Sequence, residues 1–173
     1  MLRQEKAALC VGLSEMQAYV RIETGEEEAL IAGLLRVATE QCELFIGQVL
    51  MARSFEQDLE GASVPVQLSI RPVRAVSSVI EAKTGIAVPD GAIDVAIDID
   101  GIARLSGLPR GQQVRVSGTA GMGTDCNDIP ESLRQGILRL AAHLFANRDS
   151  AAGDLPKAVS ALWRPFRSIG LSR

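Results

Sequence analysis

The stretch Asp128–Arg148, DIPESLRQGILRLAAHLFANR, decides how the rest of the chain is read. Leu133, Ile137, Leu140, Ala141 and Leu144 recur at helical spacing and fall on one face, while Arg134, Gln135, Arg139 and Asn147 fall mostly elsewhere. Pro130 suits a first helical position, since it brings no N–H in need of a partner, and Ile129 before it is pushed towards extended backbone. Asp128 and Glu131 place negative charge at the positive end of the helix dipole. A helix with one apolar stripe needs a partner, and the long match is Glu26–Gly47.

That second helix is expected to open on three acids, Glu26, Glu27 and Glu28, after a break at Thr24-Gly25. Leu30, Leu34, Val37, Ala38, Cys42 and Phe45 follow the 3.6 period, and Ile31, Leu35 and Ile46 widen the stripe. A stripe this wide predicts contact on more than one side, with two other helices or with a neighbouring subunit. A shorter helix, Glu15–Val20, is expected upstream with Ser14 as its N-cap, and residues 1–12 read as a lead-in.

Between the long helices the period changes to two. Val64, Val66, Leu68 and Ile70 alternate with Pro65, Gln67 and Ser69; Ile93, Val95 and Ile97 alternate with Asp94, Ala96 and Asp98; Val114 and Val116 alternate with Gln113, Arg115 and Ser117. The expected strands are 49–59, 64–71, 76–83, 92–98, 102–106 and 112–118, forming an antiparallel sheet or small sandwich, with Pro65 confining its strand to an edge. The predicted class is α+β: a small helical bundle (1–48 and 122–154), an antiparallel β unit inserted between the two long helices (49–121), and a C-terminal segment (155–173). In that last segment Val159, Leu162, Trp163 and Phe166 share one face, with Arg164 and Arg167 beside it and Pro165 interrupting it. The only Trp of the chain among bases marks either a docking face or packing onto the bundle.

Composition narrows the function. Of 173 residues, 47% are hydrophobic and 3% aromatic, so the core is aliphatic. The net charge of −3 gives no general case for nucleic-acid binding. Residues 1–48 hold 8 acids and 4 bases (−4), and residues 122–173 hold 5 acids and 7 bases (+2). Cys10, Cys42 and Cys126 lack metal-ligand spacing and read as free thiols of a reducing compartment. No apolar run is long enough to span a bilayer, so no membrane is expected.

Candidate chemistry is thin. GTAGMGTD (118–125) lacks the Lys-Ser or Lys-Thr of a phosphate loop and is followed by acids, so it reads as a flexible connector out of the sheet. Cys126, Asp128 and His143 are residue types of a thiol catalytic group, but His143 lies on the order of 20 Å along the helix from its start. Asp94, Asp98 and Asp100 lack the closing Glu of a calcium loop. No catalytic residue, cofactor or metal is expected.

The ordered set SEMQAYVRI (14–22), EEEALIAGLLRVATEQCELFIGQ (26–48), IRPVRAVSSV (70–79), VSGTAGMGTDCNDIPESLRQGILRLAAHLFANRD (116–149) and LPKAVSALWRPFR (155–167) resembles the head–tail connector, or adaptor, proteins of long-tailed bacteriophages and phage-like gene transfer agents. Many members carry aromatics where this chain has Thr119 and Met122. The resemblance implies a virion protein at the head–tail interface, assembled in the bacterial cytoplasm. It implies a ring of copies, usually twelve, beneath the portal protein, with a stopper or tail-terminator protein below and DNA passing through without sequence-specific binding. It gives Val159, Leu162, Trp163, Arg164, Phe166 and Arg167 a portal-docking role, with Trp163 and Phe166 buried in portal grooves. Glu26, Glu27 and Glu28 would face the channel or a neighbouring subunit. The alternatives are a stopper or tail-completion protein, against which the helix content argues, and a small cysteine- or nucleotide-dependent enzyme.

Overall fold

The structure is a computed structural model that describes residues 1–22, 27–89, 91–147 and 155–167. The chain is α+β and divides into two compact units.

The first unit comprises Met1–Ala7 and Ala52–Met122. Its strands are β1 (Leu2–Gln4), β2 (Arg53–Glu60), β3 (Val66–Gln67), β4 (Val73–Glu81), β5 (Asp94–Ile97), β6 (Ala103–Ser106) and β7 (Gln113–Ala120). They form an antiparallel four-stranded sheet in the order β1-β2-β7-β4 and an antiparallel three-stranded sheet in the order β3-β6-β5. The alternation in β2 sends Arg53, Phe55, Gln57 and Leu59 inward, and β7 answers with Val114, Val116, Gly118 and Ala120. Two of these inward groups are polar, and both are bonded: Arg53 donates to Gln4 Oε1, and Gln57 Oε1 accepts from the Ser69 N–H and hydroxyl at 3.0 Å. Buried polar groups left unbonded would each cost about 1–3 kcal/mol, so these contacts hold β1 and the Leu68–Ile70 stretch to β2. Gly118 stands opposite Phe55, and a side chain there would strike the Phe55 ring and the Ala75 carbonyl.

Several boundaries differ from the expectation. β1 falls in the supposed lead-in, where it adds to the edge of β2 by main-chain pairing that no apolar pattern announces. The strand expected at 64–71 shortens to two residues after Pro65, at the edge of its sheet, although Leu68 and Ile70 are still buried. The strand expected from residue 49 starts at Arg53, because Val49, Leu50 and Met51 are core residues of the other unit.

The second unit comprises Ala8–Met51 and the chain from Gly123 on. It holds α1 (Leu13–Val20), α2 (Glu28–Ile46), α3 (Glu131–Ala146) and α4 (Lys157–Trp163), the last followed by a 3-10 turn at Arg164–Phe166. Residues 1–7 therefore belong with the sheets, and the described C-terminal segment, residues 155–167, belongs with the helices rather than standing apart. α1 begins at Leu13 with Gly12 as its cap, so Ser14 lies inside the helix and caps nothing. α2 ends at Gly47, whose positive φ of 70° closes the last turn through its N–H to the Glu43 carbonyl. Pro130 takes the N-cap position of α3 instead of the first helical one, and Ile129 before it is extended and buried.

The core of this unit is Ile31, Leu35, Ala38, Cys42 and Ile46 of α2 against Leu133, Ile137, Leu140 and Ala141 of α3, with Met16, Val159 and Trp163 added by the short helices. Arg134 ties the pieces together. Its Nε donates to the Cys10 carbonyl, Nη2 to Glu15 and Nη1 to Glu131, at 3.1, 3.1 and 3.2 Å. One rigid guanidinium thus fixes the segment before α1, α1 itself and the first turn of α3.

Candidate functional site

The C-terminal segment carries most of the residues singled out by sequence, and its own unit occupies part of it. Pro156 caps α4 with the same extended geometry that Pro130 gives α3. Val159 and Trp163 then point inward and are buried. The indole N–H of Trp163 donates to the Leu133 carbonyl at 3.3 Å, and its ring tilts at 55° to that of Phe45, with centroids 5.9 Å apart. The indole fills the space above Gly136, where any β-carbon would collide with it. Trp163 is thus an internal anchor. The expectation that this ring is offered to a partner is corrected: the chain spends it on its own α2 and α3.

The 3-10 turn is pinned by Gln48, whose side-chain amide donates to the Phe166 carbonyl at 2.9 Å. Arg167 lies 5.8 Å from the centre of the Phe45 ring, within cation–π range. What faces outward is Arg164 and Arg167, both exposed, with Leu162 and Phe166 half-buried beside them. The expected docking face therefore reduces to a basic turn with two partly covered apolar side chains.

The acidic start of α2 also changes. Glu26 lies outside the described residues; Glu27 is the N-cap with a positive φ of 53°, and Glu28 alone stands in the first turn. Both described glutamates are exposed.

The Gly-rich exit is paired rather than loose. Gly118 to Ala120 belong to β7, the Gly121 N–H donates to the Pro72 carbonyl at 2.8 Å, and the Gly123 N–H donates to the Leu50 carbonyl at 3.1 Å. The next amides are taken by acids of the same loop. Asp128 accepts from the N–H groups of Thr124 and Asp125, and Asp125 accepts from the N–H of Asn127. Amides that could have cradled a phosphate are thus filled by carboxylates, so the loop acts as the cap of the 3-10 turn at Cys126–Asp128.

The thiol constellation does not assemble. Cys126 donates its S–H to the Leu9 carbonyl at 3.3 Å, at the entrance to α3. His143 is exposed near the other end of α3, beside Asn147. Twelve residues of helix separate His143 from Glu131, about 18 Å. Burial, together with the neighbouring Cys126, pushes the Cys10 thiol up to about 11, and burial raises Cys42 further, so neither is a thiolate near neutral pH. Among the described residues no group of three or more His, Cys, Asp or Glu side chains could hold a metal ion. Asp98 serves its hairpin: it accepts from the N–H groups of Asp100 and Ile102 and pairs with Arg104, and these contacts hold its carboxyl below the usual range. No described helix is long and apolar enough to cross a membrane.

One surface that sequence reading blurred is the outer side of α2. The expected stripe mixed two faces. Ala38 and Cys42 are buried, but Leu30 and Val37 are exposed, and Leu34 and Phe45 are half-buried; Leu44, outside that stripe, is exposed on the same side as Leu30 and Val37.

The sequence matches no protein-family model and no curated protein. Its fold recurs in solved structures of gene transfer agent particles. One is a chain of the neck of an empty gene transfer agent (GTA) particle computed with C6 symmetry, 26% identical, covering 99% of this chain and 97% of that chain with a TM-score of 0.80. A second, from the virion of a native GTA particle, is 25% identical over 99% and 97% of the two chains, with a TM-score of 0.79. A third, from the neck of a native GTA particle computed with C12 symmetry, has the same fold at 22% identity and a TM-score of 0.78.

Proposed function

We propose that this chain is a structural subunit of the neck of a phage-like gene transfer agent particle, and that within the neck it is the adaptor: a ring, of twelve copies, beneath the portal and above a stopper or tail-terminating protein. The observation that carries the reading is the end-to-end likeness to a neck chain, which spans 99% of this chain and 97% of the other. The likeness runs through both the helical unit and the sheet unit, at a TM-score of 0.80. The disposition of reactive groups supports it. Cys126 donates to the Leu9 carbonyl, Asp128 is spent on capping and His143 stands far along α3, so the three do not act together. DNA would pass through the ring; Glu27 and Glu28, exposed at the start of α2, suit a lumen or a neighbouring subunit, because acidic walls do not retain phosphate.

The outward Arg164 and Arg167, flanked by Leu162 and Phe166, form the proposed contact with the portal. The test is electron microscopy of the protein mixed with its candidate portal. A ring capping the narrow end supports the adaptor reading, and a bare portal overturns it. In the same assay Arg164→Glu with Arg167→Glu should reduce binding, whereas Lys83→Glu, an exposed base of the sheet unit, should not. Arg53 is unsuitable as a control, since it is buried and bonded to Gln4.

A further inference from the structure

α2 is apolar on two opposite sides. Its inner face, Ile31, Leu35, Ala38, Cys42 and Ile46, is fully buried. On the other side Leu30, Val37 and Leu44 are 37%, 44% and 77% exposed. These three are seven residues apart, a spacing that drifts only about 20° per repeat on an α-helix, so they form a nearly straight stripe. Single exposed leucines are ordinary. Three in register over fourteen residues, about 21 Å of helix, make a continuous ridge.

The surroundings of the ridge are those of an interface. Between Leu30 and Leu44 the same face carries Gly33, Leu34 and Gln41, none of them charged, and a β-carbon placed on Gly33 would meet nothing within 4 Å. The exposed charges Arg36 and Glu40 stand at one edge. An uncharged centre with a charged rim is the usual anatomy of a protein contact. No charge on the ridge points to a nucleic acid or an acidic partner.

We propose that this outer face of α2, centred on Leu30, Val37 and Leu44, is where a second copy of the same chain packs in the assembled ring. The inference rests on the neck reading given above. It is argued from the rotational symmetry with which the similar necks were computed, C6 and C12, since a closed ring gives each subunit copies of itself on both sides. Such contacts are head-to-tail. The ridge of one subunit therefore meets a different surface of the next, not the corresponding ridge.

The experiment uses the full chain in assembled particles. A photo-crosslinking residue, p-benzoylphenylalanine, replaces Leu44, which can be changed without opening the core because it is largely exposed. After irradiation the adducts are identified by mass spectrometry, and the neck of unsubstituted particles is imaged alongside. The expected product is an adduct between two copies of this chain. Adducts only to another neck polypeptide, only within one chain, or none at all would overturn the inference while leaving the neck reading intact. Absence of the unsubstituted chain from the neck would overturn both. In parallel, Val37→Glu and Leu44→Glu should keep the circular dichroism and melting of the single chain and lower ring formation about tenfold or more. Unchanged ring formation by both variants would also overturn the inference.

Discussion

Gly136 and Trp163 share one site: the indole sits where a side chain on residue 136 would begin, and its N–H reaches the Leu133 carbonyl one turn earlier on α3. Glycine in a helix interior usually loses about 1 kcal/mol to alanine. Here that sign should reverse. In Gly136→Ala the gain in helix propensity is offset by an overpacking cost of about 1–3 kcal/mol, and more if the whole ring must move. The expected result is a lower urea midpoint together with a red-shifted Trp fluorescence in the folded protein, as the single indole leaves its seat.

Trp163→Ala should cost about 3–5 kcal/mol, because a buried ring is lost and a cavity opens between α2, α3 and α4. The same reasoning governs truncation before Leu155. A segment that stood apart could be removed without harm to folding, but removal of Val159 and Trp163 strips two core residues, so the truncated protein should melt well below the full chain. Differential scanning calorimetry separates the two outcomes.

Arg134→Lys keeps the charge and loses the fork. The three acceptors, the Cys10 carbonyl, Glu15 and Glu131, cannot all be reached by one ammonium. A loss of about 1–2 kcal/mol is expected, since the Cys10 carbonyl contact is partly buried. Hydrogen exchange should show faster opening of α1 than of α3, because α1 depends on this residue while α3 has its own core face.

Asp58 pairs with Arg115 at 2.7 Å across β2 and β7, and this contact holds the Asp58 carboxyl below its ordinary value. A carboxyl more acidic in the folded than in the unfolded chain adds stability above its unfolded pKa of about 4 and loses it as pH falls through the folded value. The stability difference between the wild type and Asp58→Asn should therefore be flat from pH 7 to pH 5 and shrink below about pH 4. Both partners are partly exposed, so added salt should narrow the difference. Urea titrations at pH 3 to 7 measure it.

Thiol labelling gives a further check. Cys10 and Cys42 are buried and their thiols are pushed up by burial, whereas Cys126 is partly exposed. Iodoacetamide at pH 8 should modify Cys126 alone in the native protein and all three after unfolding. Native labelling of Cys42 would mean that the α2–α3 core opens.

The parts of the fold that sequence made legible are those where one period has one explanation. α3 was readable because its apolar residues lie on a single face, and four of the five expected to line it, Leu133, Ile137, Leu140 and Ala141, are buried. α2 was readable as a helix but not in orientation. With leucines on both sides, periodicity cannot say which side meets the core, and the expected stripe straddled the two. β1 was illegible for another reason: Leu2, Arg3 and Gln4 are all exposed, and what makes them a strand is the free edge of β2. The candidate site suffered a similar ambiguity. An aromatic among bases looks the same in sequence whether it is held by a partner or by the chain itself, and only the gap at Gly136 tells which.

The seat of Trp163 has a consequence for equilibrium populations. Taking about 3 kcal/mol as the strength with which the indole holds α4 down, the free segment amounts to about one molecule in 150. A partner that needed α4 released would see its affinity reduced by that factor, whereas one that reads Arg164 and Arg167 in place would lose nothing. The contact proposed for Arg164 and Arg167 would thus favour the latched form, and any neighbour that instead pulled the latch would bind slowly, at a rate limited by how often it opens.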